Sequence, residues 1–350
     1  MRGHKLIVLL LLILEGQGSP ENRQSSLADF DASQKNLPCP NDYDIFPCTC
    51  KNYKNVMDLN CSLAESEDQL DQIFGSIFPF KVFRSFIMNS NGNIKILKSG
   101  LFRELSFTEF MITHSALETV EEDALSGSYD TAVHIHMNAN NLTQFPFEKL
   151  PLFGSLVHLN LGHNKLLEFP VLSSASLRYL SLGGNLITAV LPDAFTNLVE
   201  IEKIEMNGNQ MVSVDKGTYA GHHNLYFVNL ESNQLTTLPA GAIQLTNSRS
   251  GVVMLSYNKI ANLSANAITD VGNGIVHLEN NTLSELKENV FRPLLQDEAH
   301  VSVAGNPFIC GCEIAWLYED LGYLDLLDGN AACYNGELLT ELDPGMFSGC

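Results

Sequence analysis

Five histidines fall between residues 114 and 163 of this 350-residue chain: His114, His134, His136, His158 and His163. His134 and His136 are spaced His-x-His, and Glu109 lies upstream of them. Imidazole nitrogens ligate zinc and copper, and a carboxylate is a usual further ligand. The same rings, protonated together near pH 6, would repel one another and act as a pH switch. Exposed polar positions also accept histidine with no such purpose. Metal ligation needs partners that orient the rings, and the sequence displays none, so no metal is expected. Reaction chemistry is otherwise missing. There is no Gly-x-Ser-x-Gly elbow and no His-Glu-x-x-His helix. The "GNG" at 272–274 is a lone glycine pair that reads as a turn. The sequence predicts no enzyme and no cofactor.

The histidines are brought together only if the chain stacks their segments side by side, and a repeat does this. The stretch "LVHLNLGHNKL" (156–166) has apolar residues at its positions 1, 4, 6 and 11 and asparagine at position 9. Eight more segments follow that template, starting at residues 107, 132, 177, 201, 225, 250, 273 and 298. Their position-9 residues are Ser115, Asn140, Asn185, Asn209, Asn233, Asn258, Asn281 and Asn306. Spacing along that series, Asn164 included, stays between 21 and 25 residues, the leucine-rich-repeat period. A further copy, "FRSFIMNSNGNI" (83–94), is irregular and one residue too long.

Each slot has a physical reason. Positions 3 to 7 form a short strand whose side chains alternate, with 4 and 6 inward and 3, 5 and 7 outward. One repeat cannot bury its apolar edge, whereas stacked repeats share one core. At position 9 the chain turns away, and an asparagine amide can satisfy buried backbone groups by bridging to the next coil. Ser115 supplies only part of this, so its turn should be less well tied. Ser250, Asn273 and Glu298 replace the apolar position 1 of the last three repeats, so packing there should be looser or distorted. Segments such as "DAFTNL" and "NVFRPLL" should form irregular or short helical turns on the convex side. The fold expected is an α/β solenoid, a leucine-rich-repeat horseshoe with a parallel concave sheet.

The outward positions then form columns. Position 3 runs Glu109, His134, His158, Tyr179, Lys203, Phe227, Val252, Ile275, and position 5 runs Met111, His136, Asn160, Ser181, Glu205, Asn229, Met254, His277. With strands about 4.8 Å apart, each column is a ladder of touching residues. Aromatic and methionine side chains on such a face suit protein recognition. The partner-binding candidates are His134, His136, His158, Tyr179, Lys203, Glu205, Phe227, Asn229, Met254 and, at position 8, Tyr257. An unused solvent face is the alternative.

Eight cysteines form two clusters, Cys39, Cys48, Cys50 and Cys61 at the start and Cys310, Cys312, Cys333 and Cys350 at the end. Zinc motifs favour Cys-x-x-Cys in reducing compartments, so two disulfides per cluster fit better, placed where a solenoid has raw ends. Four cysteines allow three pairings, and the sequence does not choose. Each loop would contribute roughly 3 kcal/mol. The layout expected is a signal peptide at 1–18, a polar leader at 19–38, an N-terminal cap at 39–80, about ten repeats at 81–308 and a C-terminal cap at 309–350.

The signal peptide rests on "MRGHK", the apolar run "LIVLLLLIL" and "GQG" at 16–18, with a run too short to span a bilayer. Secretion to an extracellular space follows, with no membrane insertion. The net charge of −20 argues against nucleic acid, whose phosphates demand Lys and Arg patches. Four glycosylation sequons stand at Asn60, Asn141, Asn262 and Asn280. Asn60 precedes Cys61, a poor context. Asn141 and Asn262 follow their strands, off the concave face, and a glycan on Asn280 would fence off the C-terminal rim.

The caps and repeats resemble secreted leucine-rich-repeat proteins. The segments "CPNDYDIFPCTC", "LNCS", "QLDQIFGSIFPF" and "FRSFIMNSNGNI" further resemble the non-catalytic leucine-rich-repeat subunit of oplophorus luciferin monooxygenase and its arthropod relatives. The resemblance implies cap pairings of first with third and second with fourth, hence Cys39–Cys50, Cys48–Cys61, Cys310–Cys333 and Cys312–Cys350. It also implies a non-enzymatic partner of a separate enzyme subunit. The sequence therefore supports a secreted non-catalytic protein that binds a protein or glycoconjugate through its concave face. The alternative is an accessory subunit of an extracellular enzyme complex.

Overall fold

A computed structural model describes residues 39–54, 56–246, 250–320 and 322–350. The expected signal peptide and leader lie outside the described residues. One twelve-stranded sheet runs the length of the solenoid. It opens with β1 (Thr49–Tyr53), β2 (Val56–Asn60), β3 (Val82–Ile87) and β4 (Ser106–Met111). Three-residue strands follow: β5 (His134–His136), β6 (His158–Asn160), β7 (Tyr179–Ser181), β8 (Lys203–Glu205), β9 (Phe227–Asn229), β10 (Val252–Met254), β11 (Ile275–His277) and β12 (His300–Ser302). β1 and β2 pair antiparallel, and every later pairing is parallel in chain order. The hairpin thus closes the N-terminal edge of the sheet with a strand of opposite direction.

Burial follows the two-residue period. Phe110, Ile135, Leu159, Leu180, Ile204, Val228, Val253 and Val276, all at position 4, are at most 1% exposed. Their neighbours at positions 3 and 5 are not buried. The N-terminal end is filled by aromatic rings. Phe86 lies 4.9 Å from Phe102, and Phe102 lies 5.2 Å from Phe107, both edge-on, the arrangement the ring quadrupole favours. The connections between these strands carry turns, two-residue strands, 3-10 segments and, among the described residues, the longer helices Glu67–Phe74 and Glu288–Gln296.

The position-9 asparagines form a continuous ladder. Asn164 Oδ1 accepts the Leu142 N–H at 2.9 Å, and its Nδ2 donates to Met137 O and Leu161 O, both at 2.9 Å. The same three contacts recur at Asn185, Asn209, Asn233, Asn258, Asn281 and Asn306. The bridge runs to the preceding coil and not, as the sequence suggested, to the next one. At Ser115 the ladder adapts. The extra residue after Asn91 lets Asn91 Oδ1 accept the Ile94 N–H of its own turn at 2.8 Å. That bond leaves Ser115 only two jobs across the coil, accepting from Asn91 N and donating to Met88 O. The irregular repeat and the serine are two halves of one adjustment, and the turn is not loose.

Position 8 has a requirement that the sequence reading missed. Ser90, His114, Ala139, His163, Gly184, Gly208, Ser232, Tyr257, Asn280 and Gly305 all have φ between 51° and 72°. The chain must turn left-handed there, which strains any residue with a Cβ by about 1–2 kcal/mol. A Cβ on Gly208 would have its nearest neighbours at 3.5 Å, so space is not the obstacle and only the backbone is. Gly208→Ala is therefore expected to lower stability by about 1 kcal/mol, and Ala139→Gly to leave it unchanged or raise it. Urea midpoints check this; a destabilised Ala139→Gly would contradict the strain argument.

The last repeats are distorted rather than loose. Gly251 and Gly274 replace bulk by close approach: a Cβ on Gly274 would fall 1.9 Å from the Gly251 oxygen. Leu245, Val271 and Ala299 stay at most 1% exposed beside them.

Four disulfides, Cys39–Cys50, Cys48–Cys61, Cys310–Cys333 and Cys312–Cys350, tie the two ends. No described cysteine is free. At the C-terminal end Trp316 is buried, donates its indole N–H to Leu286 O at 3.0 Å, and lies under the Arg292 guanidinium.

A candidate binding face on the concave sheet

The parallel register aligns the outward columns residue by residue. Position 3 pairs Glu109 with His134, His134 with His158, His158 with Tyr179, Tyr179 with Lys203, and Lys203 with Phe227. Position 5 pairs His136 with Asn160, Ser181 with Glu205, Glu205 with Asn229, and Asn229 with Met254. All ten candidates lie on this side or its rim. They divide into three groups.

The first group is the histidine cluster. The His134 and His136 rings are 5.9 Å apart, and His158 lies 4.8 Å from His136 and 6.2 Å from His134. Burial pushes the His158 imidazolium down to about 4, with His136, His134 and Lys203 adding like charge. Burial also lowers His136, against the pull of Glu109. A joint switch near pH 6 is therefore not what this cluster provides, because His158 charges only in stronger acid. In the unfolded chain His158 takes up its proton near 6.5, so folding stability falls as pH drops from about 6.5 to about 4 and is level above that window. His158→Gln is expected to keep more of its neutral-pH melting temperature at pH 4.5 than the wild type keeps. Identical acid losses would contradict the assignment.

The second group is central. His158, Tyr179, Lys203 and Glu205, with Asn160 and Ser181, line a hollow of about 400 Å³. Lys203 Nζ lies 4.9 Å from the Phe227 ring centroid and 5.6 Å from that of Tyr226, a geometry in which the cation is attracted to both rings. The Tyr179 hydroxyl donates to Glu202 at 3.0 Å, and Arg178 also reaches that carboxylate, at 3.2 Å. Glu202 and Tyr226 were not singled out from sequence. They occupy position 2, which strict alternation assigns to the interior, but their strands begin at position 3 and both side chains are half-exposed.

The third group lies toward the C-terminal end. Met254 and the exposed Tyr257 line a hollow of about 290 Å³ with His277, Glu279 and Asn280. His277 Nδ1 and the Ser256 hydroxyl bond the Glu279 carboxylate. Burial alone would raise the pKa of Glu279, and these bonds bring it below the usual range. Asn229 Oδ1 accepts the Glu231 N–H at 3.0 Å, which shapes the strand end more than it offers a contact.

Of the sequons, Asn280 is exposed on this rim, and Asn262 is exposed on a two-residue convex strand, Asn262–Leu263. Asn141 is half-buried, and Asn60 ends β2 in the position-5 column, with its Oδ1 accepting the Ser62 N–H.

Comparison with known proteins adds three findings. Residues 176–198 match the Leucine Rich Repeat family. The Oplophorus-luciferin 2-monooxygenase non-catalytic subunit of Oplophorus gracilirostris is 33% identical over 335 residues, covering 92% of each chain, and lumican of Coturnix japonica is 29% identical over 37% of this chain and 38% of its own. Among solved structures, a chain in the octameric complex of Latrophilin 3, Unc5D and FLRT2 (LRR) superposes with a TM-score of 0.65 at 19% identity, covering 81% of this chain and 87% of that one, a likeness of fold.

Proposed function

Since the chain belongs to the leucine-rich-repeat family of the Oplophorus-luciferin 2-monooxygenase non-catalytic subunit, we propose that it is a secreted, non-catalytic protein that binds an extracellular protein or glycoconjugate on its concave sheet. One observation carries this reading. Tyr179, Lys203, Tyr226 and Phe227 place rings and a cation together at the middle of the sheet, beside a hollow. Part-exposed tyrosine and phenylalanine rings are what interface centres are enriched in, and Lys203 is held against two of them. Four disulfides at the ends suit an oxidising compartment. A glycan on Asn280 would narrow the C-terminal hollow and leave the centre as the contact region.

A second reading has its own support. Likeness to a subunit of a monooxygenase extends over 92% of the chain, so a standing complex with an enzyme subunit is the alternative form of the same binding. Gel filtration of the native secreted material separates the two. A fixed hetero-complex at every dilution supports the accessory subunit, and a monomer that joins its partner reversibly supports the binding protein. Elution as a monomer with no partner present in the secretion would count against both.

A further inference from the structure

We infer that Glu109, His134 and His136 form a zinc-binding site at the N-terminal part of the concave sheet, with the metal's remaining coordination position open to the hollow of the solenoid. The parallel register sets Glu109 on β4 directly beside His134 on β5. His136 projects from the same face, two residues on. One ligand atom from each of the three lies within 4.8 Å of the others. Tetrahedral zinc with ligands at about 2.0–2.1 Å needs them roughly 3.3 Å apart, a closure of roughly 1.5 Å that side-chain rotation can supply. The strands need not move.

Two features distinguish these residues from histidines that merely decorate a surface. The Glu109 carboxylate is already oriented: the buried Ser85 hydroxyl donates to its Oε2 at 2.8 Å and leaves the other oxygen free. Such an outer partner is what metal-ligating carboxylates have. Second, no described side chain hydrogen-bonds a ring nitrogen of His134 or His136. His277 shows the contrast, because its Nδ1 is taken up by Glu279 at 2.9 Å. Two imidazoles and one carboxylate make a ligand set for zinc that leaves one position for water or a partner's side chain. His158 packs against His136 from the other side and stands outside the group.

The test uses mature protein and zinc chloride alone. Calorimetric titration should show one saturable site, and histidine NMR should show the His134 and His136 ring signals shifting together with that saturation. His136→Asn and Glu109→Gln should abolish it, His277→Asn should retain it, and Ser85→Ala should weaken it by roughly 10-fold. The NMR readout requires no variant, so a substitution that failed to fold would not leave the matter open. Absence of saturable binding would overturn the proposal. So would binding that leaves the His134 and His136 signals unshifted or survives in Glu109→Gln.

Discussion

Replacing Cys312 and Cys350 together with alanine is expected to lower stability by about 4 kcal/mol, the largest effect of any single link in the molecule. The bond joins residues 38 apart, the longest of the four loops. In the chain-entropy account, the stabilisation grows with the logarithm of loop length, so removing Cys39–Cys50, 11 residues apart, should cost about 3 kcal/mol. The longer link also holds a sparse cap. Tyr318 and Phe347 stack at 4.6 Å inside its loop, and Trp316 and Tyr323 pack beside them over the end of the core. Without the bond, the segment ending at Cys350 is free to lift from Tyr318 and the 3-10 segment Cys312–Tyr318. Urea denaturation of the two double variants checks the order. An N-terminal loss equal to or larger than the C-terminal one would mean that the caps are not limited by loop closure.

Asn209→Ala is expected to cost about 2–3 kcal/mol, for a reason specific to how the ladder is wired. Asn209 Nδ2 donates to Leu182 O and Met206 O at 3.0 Å, and its Oδ1 accepts the Ile187 N–H at 3.1 Å. Both carbonyls are shared. Leu182 O also accepts from Asn185, and Met206 O also accepts from Asn233, at 2.9 Å each. The ladder therefore protects its carbonyls twice and its N–H groups once. Substitution orphans the buried Ile187 N–H, and an unpaired buried donor carries the full desolvation cost. Asn229→Ala, on the concave face of the neighbouring repeat, loses one half-exposed bond to Glu231 and should cost about 0.5 kcal/mol. Calorimetric melting of both variants decides the point, and equal shifts would contradict the division between inward and outward positions.

The parts of this fold that repeat were legible in the sequence, and the parts that deviate were not. Apolar residues at positions 4 and 6 recur nine times, so the inward face, the parallel stacking and the two outward columns followed from counting. The left-handed turn at position 8 was hidden because His114, His163 and Tyr257 occupy it as well as Gly184, Gly208 and Gly305. Glycine signals such a turn only where selection leaves it there. The link between Asn91 and Ser115 was unreadable for a different reason. An inserted residue and a substituted one look like two separate defects until the coils are stacked. The candidate site shows the same split. Register alone placed His134 beside His158 and Tyr179 beside Lys203. Register likewise placed Glu109 beside His134, but the bond from Ser85 that holds that carboxylate comes from the repeat whose length had drifted.

The measurement that bears most directly on the concave face as the binding surface is a comparison of captures from the native secretion. The bait is tagged mature protein, either unaltered or carrying Tyr179→Ala, Lys203→Glu and Phe227→Ala together. A second variant changes exposed positions off this face, Leu191→Ala and Val199→Ala. Partner recovery is predicted to fall at least about tenfold with the concave variant, as truncation of a few central anchors implies, and to stay level with the other. Undiminished recovery on the concave variant, with loss on the other, would contradict the account.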